Sequence, residues 1–353
     1  MNFKTIRDVD VKDRVVMVRT DYNVPIEDGK ITSDLRIRAS LETLEYLREA
    51  GAKKIIIISH LGRPDGVDTK LSLKPVAVAL DKMIGKVSFV SNVSGAEVET
   101  AVATLADGGI LVLENLRFYE GEKANSAEFI EGIIKSVGAE IFVQDGFAVV
   151  HRAHASVEAV AKFLPVYAGL LLEKEITNLE KVTKNPARPL LLIIGGSKVE
   201  DKKPLIEKFA NGLADQIMVG GKIAVDGYPA SDKIYVAEDF DEDSTGAKLD
   251  IGPVATGKIA EAIMDAKTIL WNGLMGKAED PAYATASTIV ADLMGEQVGT
   301  TTIVCGGDTT GFVENLMETN PNLQYSLIST GGGAALDFLI GEKMPGLEVL
   351  QEK

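Results

Sequence analysis

One cysteine, Cys305, and one tryptophan in 353 residues leave the chain with no internal disulfide and little aromatic bulk. A crosslinked scaffold is excluded, and a reducing compartment, the cytoplasm, is the expected home. Basic residues are short as well: 37 against 52 acidic ones give a formal net charge of −15. Nucleic acid and anionic membrane surfaces are poor partners for that field. No apolar run is long enough to span a bilayer, and the opening MNFKTIRDVDVKDR is charged where a signal peptide would be apolar. Low-complexity tracts and heptad series are also missing.

What the chain has is apolar strand followed by glycine. At 46% hydrophobic, a length of 353 supplies two cores and exceeds one ordinary domain. Just past the midpoint, Leu190–Ile194 suits a strand covered on both faces, as in a parallel sheet. Gly195 and Gly196 end it, and Lys198 and Lys202 follow four apart, a spacing that predicts one helical face. Without Cβ atoms such a turn lets backbone approach a ligand, and the helix start behind it offers amide hydrogens and a positive dipole end to an anion. The pattern returns at Gly220-Gly221-Lys222 after 216–219, at Gly306-Gly307-Asp308-Thr309 after 301–304, and at Gly331-Gly332-Gly333 after 325–328. In an open parallel sheet these ends line one crevice. One such turn reads as a tight connection with solvated lysines, whereas four together suit a polyphosphate and a flat purine. Neither GxxxxGK[ST] nor GxGxxG occurs in them, so the site is not a Walker-type or dinucleotide fingerprint.

The first half alternates strand and helix. Strands are predicted over 14–18, 53–58, 87–90, 110–113 and 141–143, and helices over 73–84, 95–105 and 126–137. A further helix starts after Asp34, expected as its cap, and stops at Gly51. Asp28-Gly29 reads as a hairpin turn. Between 163 and 189, the charged run LEKEITNLEKVTK followed by NPARP is the natural spacer. The predicted architecture is α/β: two doubly wound parallel-sheet (Rossmann-like) domains, 1–165 and 190–340, joined by a hinge helix and linker over 166–189.

Polar residues collect just past the strand ends of this half: Asp21, Asn23, Arg36, His60, Arg63, Arg117, His151, Arg152 and His154. All three histidines are among them. A chain of net charge −15 that gathers four arginines and three histidines at one rim has built an anion site against its own field. Guanidinium forks suit phosphate or carboxylate, and Asp21 and Asn23 could hold a hydroxyl. Taken singly, a strand-end Asp or Asn is commonly a turn residue and an isolated arginine is commonly solvated. His151 and His154 have zinc-like spacing, but Arg152 between them adds an unhelpful charge, and neither HExxH nor a cysteine pair is present. Cys305 follows a buried strand with no histidine in its half, which makes it a wall residue sooner than a nucleophile.

HLGRP at 60–64, ENLRF at 114–118, HRAHAS at 151–156, GGSKVEDK at 195–202, DIGP at 250–253, WNGLMG at 271–276, GGDTT at 306–310 and STGGGA at 329–334 follow one another in a distinctive order. In these motifs the chain resembles phosphoglycerate kinase, from Asp21 to the C-terminal MPGLEVL. The resemblance implies reversible phosphoryl transfer from 1,3-bisphosphoglycerate to MgADP, giving 3-phosphoglycerate and MgATP. It implies Mg2+, ATP/ADP as substrate, small-molecule partners only, and a monomer. By the same resemblance Asp21, Asn23, His60, Arg63, Arg117 and Arg152 bind the phosphoglycerate, and Arg36 and Lys202 meet the transferring phosphoryl group from the two halves. Lys198 would bind nucleotide phosphate, Gly196, Gly220 and Gly221 would frame the adenine, Asn272 would contact phosphates, and Glu279 would hold the ribose. Asp308 would organise magnesium, with Gly306, Gly307, Thr309 and the Gly331, Gly332, Gly333 turn at the phosphates. The tail, about 341–353, would return to the first half.

Such a reaction needs no base, because the acceptor carboxylate is already ionised at neutral pH. The barrier must fall through alignment and charge neutralisation, and the halves must close to align the substrates and exclude water. A non-catalytic relative would be marked by loss of Arg36 or Lys202, and an oxidoreductase by GxGxxG with a downstream acid; neither mark is present. The chain departs from the family pattern at Lys222, where GGGM has its third glycine, at Leu274 in place of proline, at Lys277-Ala278, at Cys305, and at Gln144 and Gly146 of the NDAF segment. We predict that Lys222 and Lys277 shift the preference among ATP, GTP and other triphosphates. A nucleotide panel ranked with Lys222→Gly against the parent protein tests this, and an unchanged ranking contradicts it.

Overall fold

The computed structural model describes residues 2–353, which divide into two units. The first runs through Lys174 and is completed by Lys343–Lys353; the second is Glu175–Glu342. A six-stranded sheet, parallel throughout, forms the middle of each.

In the first unit the strands are β1 (Val15–Arg19), β2 (Lys54–Ile58), β3 (Val87–Phe89), β4 (Gly109–Val112), β5 (Ile141–Gln144) and β6 (Val166–Ala168), in spatial order β3-β4-β2-β1-β5-β6. Runs such as KIIII form strands here because branched side chains are stiff at χ1 and fit a pleated surface covered on both faces. Ile55, Ile56, Ile57 and Ile58 are all fully buried, each contributing about 1.5–3 kcal/mol of transfer free energy. The C-terminal segment is stitched on by backbone bonds from Gly346 N to Val150 O (2.8 Å) and from Gln351 N to Val166 O (2.9 Å).

The second unit has β7 (Leu190–Ile194), β8 (Gln216–Val219), β9 (Ile234–Val236), β10 (Thr268–Asn272), β11 (Thr301–Cys305) and β12 (Leu327–Ile328), in order β9-β8-β7-β10-β11-β12. Strand order reverses between β7 and β10, and in the first unit between β1 and β5. At such switch points the loops leave in opposite directions and open a crevice at the carboxyl ends.

The fold is the α/β, parallel-sheet architecture predicted above. Three local readings change. Asp34 does not cap helix Leu35–Glu49 with its side chain; its carboxylate pairs instead with Arg38 one turn on, at 2.7 Å. Lys198 lies outside helix Val199–Lys208, at its N-cap with φ −93° and ψ 78°, so it shares no helical face with Lys202. Residues 166–168 are not spacer but the edge strand β6, with Val166 and Ala168 buried. Gly51 does end the first helix, with φ +83°, and Asp28 and Gly29 turn a short hairpin.

Helix Leu170–Thr183 crosses the boundary between the units, and its start is fixed by Asp145 at the end of β5. Asp145 Oδ1 accepts from Thr43 Oγ1 (2.9 Å), Leu171 N (3.1 Å) and Leu172 N (3.5 Å). Gly169 leaves room for it, since a Cβ there would stand 2.0 Å from that oxygen. Burial outweighs these bonds and lifts the carboxyl from 3.8 to about 7. An acid raised in this way keeps its proton in the folded state where the unfolded chain has released it. Its contribution to stability is therefore full below about 4 and lost as pH rises to about 7. Asp145→Asn should gain stability relative to the parent as pH goes from 4 to 8; thermal melts across that range test it, and parallel pH profiles would contradict it.

Candidate active site

The carboxyl ends of β1, β2, β4 and β5 carry a basic pocket. Arg19 closes β1 and is fully buried; its Nε donates to Ser156 Oγ (2.8 Å), its Nη1 to Thr20 O, and its Nη2 to His60 Nδ1 (3.2 Å). Glu122, also fully buried, lies 4.0 Å from Nη2 and accepts from Ser156 Oγ at 2.6 Å. The buried guanidinium is thus held by one carboxylate and a ring of acceptors, the condition for tolerating charge in a low-dielectric site. Asp21, beyond β1, pairs with Arg36 from the first turn of helix Leu35–Glu49. Asn23 Oδ1 accepts from Gly62 N (2.8 Å), which joins the loop after β1 to the loop after β2.

Arg117 donates through Nη1 to Gly62 O (2.7 Å), while its Nη2 is buried with no partner. Burial first, then Arg19 and Arg152, lower its pKa to about 10. Asn115 staples the same loops by accepting from Leu61 N and Arg117 N and donating to Leu61 O and Leu71 O. Arg152 donates from Nε to His151 Nε2 at 3.0 Å.

The histidines correct the charge count made from sequence. His60 is held well below the usual imidazole range, by burial first and then by Arg19, Arg117, Arg36 and Arg152. His154 falls to about 4 for the same reasons, with Arg117 the leading charge. Both are neutral at pH 7, so neither adds positive charge to the guanidinium groups around it. Arg63, next to the Gly62 whose carbonyl Arg117 bonds, is exposed, and Arg19 joins Arg117 as a buried arginine of the pocket. Arg19 and Glu122 were missed because each reads as a charge beside an apolar or solvated run; the signal was Arg19 closing an otherwise apolar strand, VVMVR.

In the second unit the glycine turns meet around a cavity of about 490 Å³, within the range that takes a nucleotide-sized ligand. Gly196, Lys198 and Lys202 line it from the β7 turn, Gly221 and Lys222 from β8, and Gly306, Gly307, Asp308 and Thr309 from β11. Gly332 and Gly333 contribute from the last turn, and Glu279 stands exposed at the wall. Gly220 and Gly331 lie behind the lining, both buried. A fifth turn, after β10, was not read as a strand end from the residues alone, although Thr268–Asn272 is wholly buried. Its Gly273 has φ +96°, and a Cβ there would meet Gly195 O at 2.1 Å. Only glycine lets these two turns cross at the switch point. Thr309 Oγ1 ties the crossing by accepting from Gly273 N (2.8 Å).

Asn272 is fully buried at the floor, and neither its Oδ1 nor its Nδ2 has a partner. Lys202 is half-buried and lowered to about 8, by desolvation first, with Lys198 adding repulsion against the pull of Asp201 and Asp308. Cys305 is fully buried and its thiol pushed up by burial, which keeps it protonated as a wall residue. Asp250 is pinned by Ile251 N and Ala286 N. Among the described residues no cluster of three or more His, Cys, Asp or Glu could hold a metal ion. The exposed carboxylate of Asp308 fits the one-carboxylate mode by which magnesium rides on substrate phosphates.

A family model described as phosphoglycerate kinase matches residues 6–236 and 226–342. The chain belongs to the phosphoglycerate kinase family. The phosphoglycerate kinases of Dictyoglomus turgidum and Coprothermobacter proteolyticus are 37% and 39% identical to it, each over 99% of this chain and 98% and 99% of their own. The solved phosphoglycerate kinase of Pyrococcus horikoshii superposes with a TM-score of 0.87 at 26% identity, and that of Coxiella burnetii with 0.79 at 30%, each covering 98% of both chains. Like its relatives in this phosphoglycerate kinase family, the chain is a phosphotransferase. The glycine crossing gives a direct test: Gly273→Ala should cost about 2 kcal/mol or more, since a left-handed backbone and a contact inside van der Waals distance add up. Denaturant melts measure it, and a loss under about 0.5 kcal/mol would contradict the crossing.

Proposed function

We propose that the basic pocket of the first unit binds 3-phosphoglycerate or 1,3-bisphosphoglycerate, that the cavity of the second binds ADP or ATP, and that the enzyme transfers a phosphoryl group between them in glycolysis. What supports this most directly is a pair of orphaned polar groups. Arg117 Nη2 in one pocket and both amide atoms of Asn272 in the other are buried without partners, the state expected of groups that await a ligand. Asp21, Asn23, His60, Arg63, Arg117 and Arg152 hold the three-carbon acid in this reading, through guanidinium forks and a neutral imidazole. Arg36 and Lys202 carry the charge that meets the transferring group. Arg36 is shared with Asp21 in this structure, and the substrate's phosphoryl group would compete for it.

Gly196, Gly221, Gly306 and Gly332 present main chain to the nucleotide, with Lys198 and Asn272 at its phosphates and Glu279 at the ribose. Asp308 would hold magnesium, which when bound neutralises phosphate charge. The acid accepts at its own carboxylate, so the chain's residues bind, orient and exclude water, and none removes a proton. We assign phosphoglycerate binding to residues 1–168 with the tail, the nucleotide to 190–340, and the joining role to 169–189, which must let the substrates come in line. The enzyme is proposed to work as a cytoplasmic monomer on small molecules; among the described residues no helix is long and apolar enough to cross a membrane.

Turnover of 3-phosphoglycerate with ATP and magnesium in a coupled assay tests the reading, and its absence would overturn it. Lys202 sets the pH dependence. A lysine at about 8 is a cation below that pH and loses its charge above it, so kcat/KM should fall as pH rises through about 8. Lys202→Arg, charged throughout, should abolish that alkaline limb; a limb unchanged by the substitution would remove Lys202 from the role.

A further inference from the structure

We propose that Arg19 is a positioning residue for the reaction, one that fixes His60 as its Nε2–H tautomer and so presents a neutral donor to the three-carbon acid. This rests on the reading of the basic pocket given above. A guanidinium has five N–H donors and no acceptor. Where Arg19 Nη2 meets His60 Nδ1 at 3.2 Å, the ring nitrogen must therefore be the acceptor, and the ring proton must sit on Nε2.

The alternative lies close by. Asp21 Oδ1 is 3.7 Å from the same Nδ1, and a carboxylate can only accept from a ring. Asp21 favours Nδ1–H, whereas Arg19 forbids it. Distance decides between them, and Asp21 is occupied elsewhere: its Oδ2 takes Arg36 Nη1 and its Oδ1 accepts from Asn23 N at 3.1 Å. Arg19 cannot swing away either, because Ser156 Oγ and Thr20 O hold its Nε and Nη1, and the buried carboxylate of Glu122 lies 4.0 Å from Nη2 itself. The remaining charges around the ring, Arg36, Arg117 and Arg152, are all cations and add to the cost of a second proton. Protonation to imidazolium and exchange to the other tautomer are thus both blocked. The anion site gains a short, uncharged donor between arginines where another cation would repel them.

The chain has three histidines, which makes the test direct. Long-range 15N–1H spectra of the native protein, assigned with His60→Gln, report which ring nitrogen carries the proton. A protonated Nε2 and a bare Nδ1 for His60, unchanged from pH 5.5 to 8, are expected. An Nδ1–H signature, or a doubly protonated ring near neutrality, would overturn the proposal. Arg19→Met should convert His60 to the Nδ1–H form facing Asp21, or let it protonate near pH 6.5, and raise KM for 3-phosphoglycerate about tenfold with a smaller change in kcat. If that variant fails to fold because Glu122 is left unpaired, Arg19→Met with Glu122→Gln removes both charges and should show the same tautomer change. Ser156→Ala, which spares Nη2, should leave the tautomer as it is; a change there would assign the effect to general loosening and sink the proposal. Titration with 3-phosphoglycerate separates the two readings: no shift of His60 signals means that the acid binds elsewhere, whatever the tautomer.

Discussion

In each unit every strand of the sheet runs the same way, and that constraint positions everything functional. Parallel strands place all their carboxyl ends along one edge. Because both faces are covered by apolar packing, from Ile55 to Ile58 in one unit and Leu190 to Ile194 in the other, polar groups have nowhere to go but that edge. At the two points where strand order reverses, the loops part and leave space. Arg19, Asp21 and Asp145 stand at the first, Gly195, Gly196 and Gly273 at the second.

The pockets proposed to bind anions in the two units differ in their physics. The first concentrates permanent charge. Arg19 and Arg117 are buried, which by itself is costly, and the cost is offset by Glu122, by backbone oxygens and by keeping the neighbouring histidines neutral. The second unit uses dipoles. Turns at Gly196, Gly221, Gly273 and Gly306 carry positive φ and bring backbone to the cavity, with Lys202 as a cation whose charge is only just held at neutral pH. A rigid fork suits a small acid with few orientations, and a main-chain cradle suits a phosphate chain that passes through. A chain of net charge −15 can sustain both because the favourable terms are short-range and desolvated, where screening is weak.

Much of this is legible in the residues. Apolar runs give nine of the twelve sheet strands to within a residue or two, and glycine repetition points to the nucleotide-type cavity. The short strands at Val166–Ala168 and Ile234–Val236 were hidden because three residues carry no periodicity. The strand at Thr268–Asn272 was hidden by its polar ends, Thr268 and Asn272, although all five of its residues are buried. Side-chain partners are the least legible level. Nothing in the spacing tells that Asp34 prefers Arg38 to its own helix start, that Glu122 comes from a surface-like EGEK run to the buried side of Arg19, or that Thr309 bonds the main chain of Gly273. Those choices depend on three-dimensional neighbours, about a hundred residues apart in the case of Arg19 and Glu122.

Two chemically distinct anion pockets, one in each unit, form the centre of this account. Hydrogen exchange read peptide by peptide in the presence of each ligand tests it most directly. 3-Phosphoglycerate alone should slow exchange around His60, Arg117 and Arg152 and leave the glycine turns of the second unit unchanged, while ADP should protect the turns at Gly196, Gly221, Gly273 and Gly306. Protection of the glycine turns by 3-phosphoglycerate, with no change at His60 and Arg117, would contradict it.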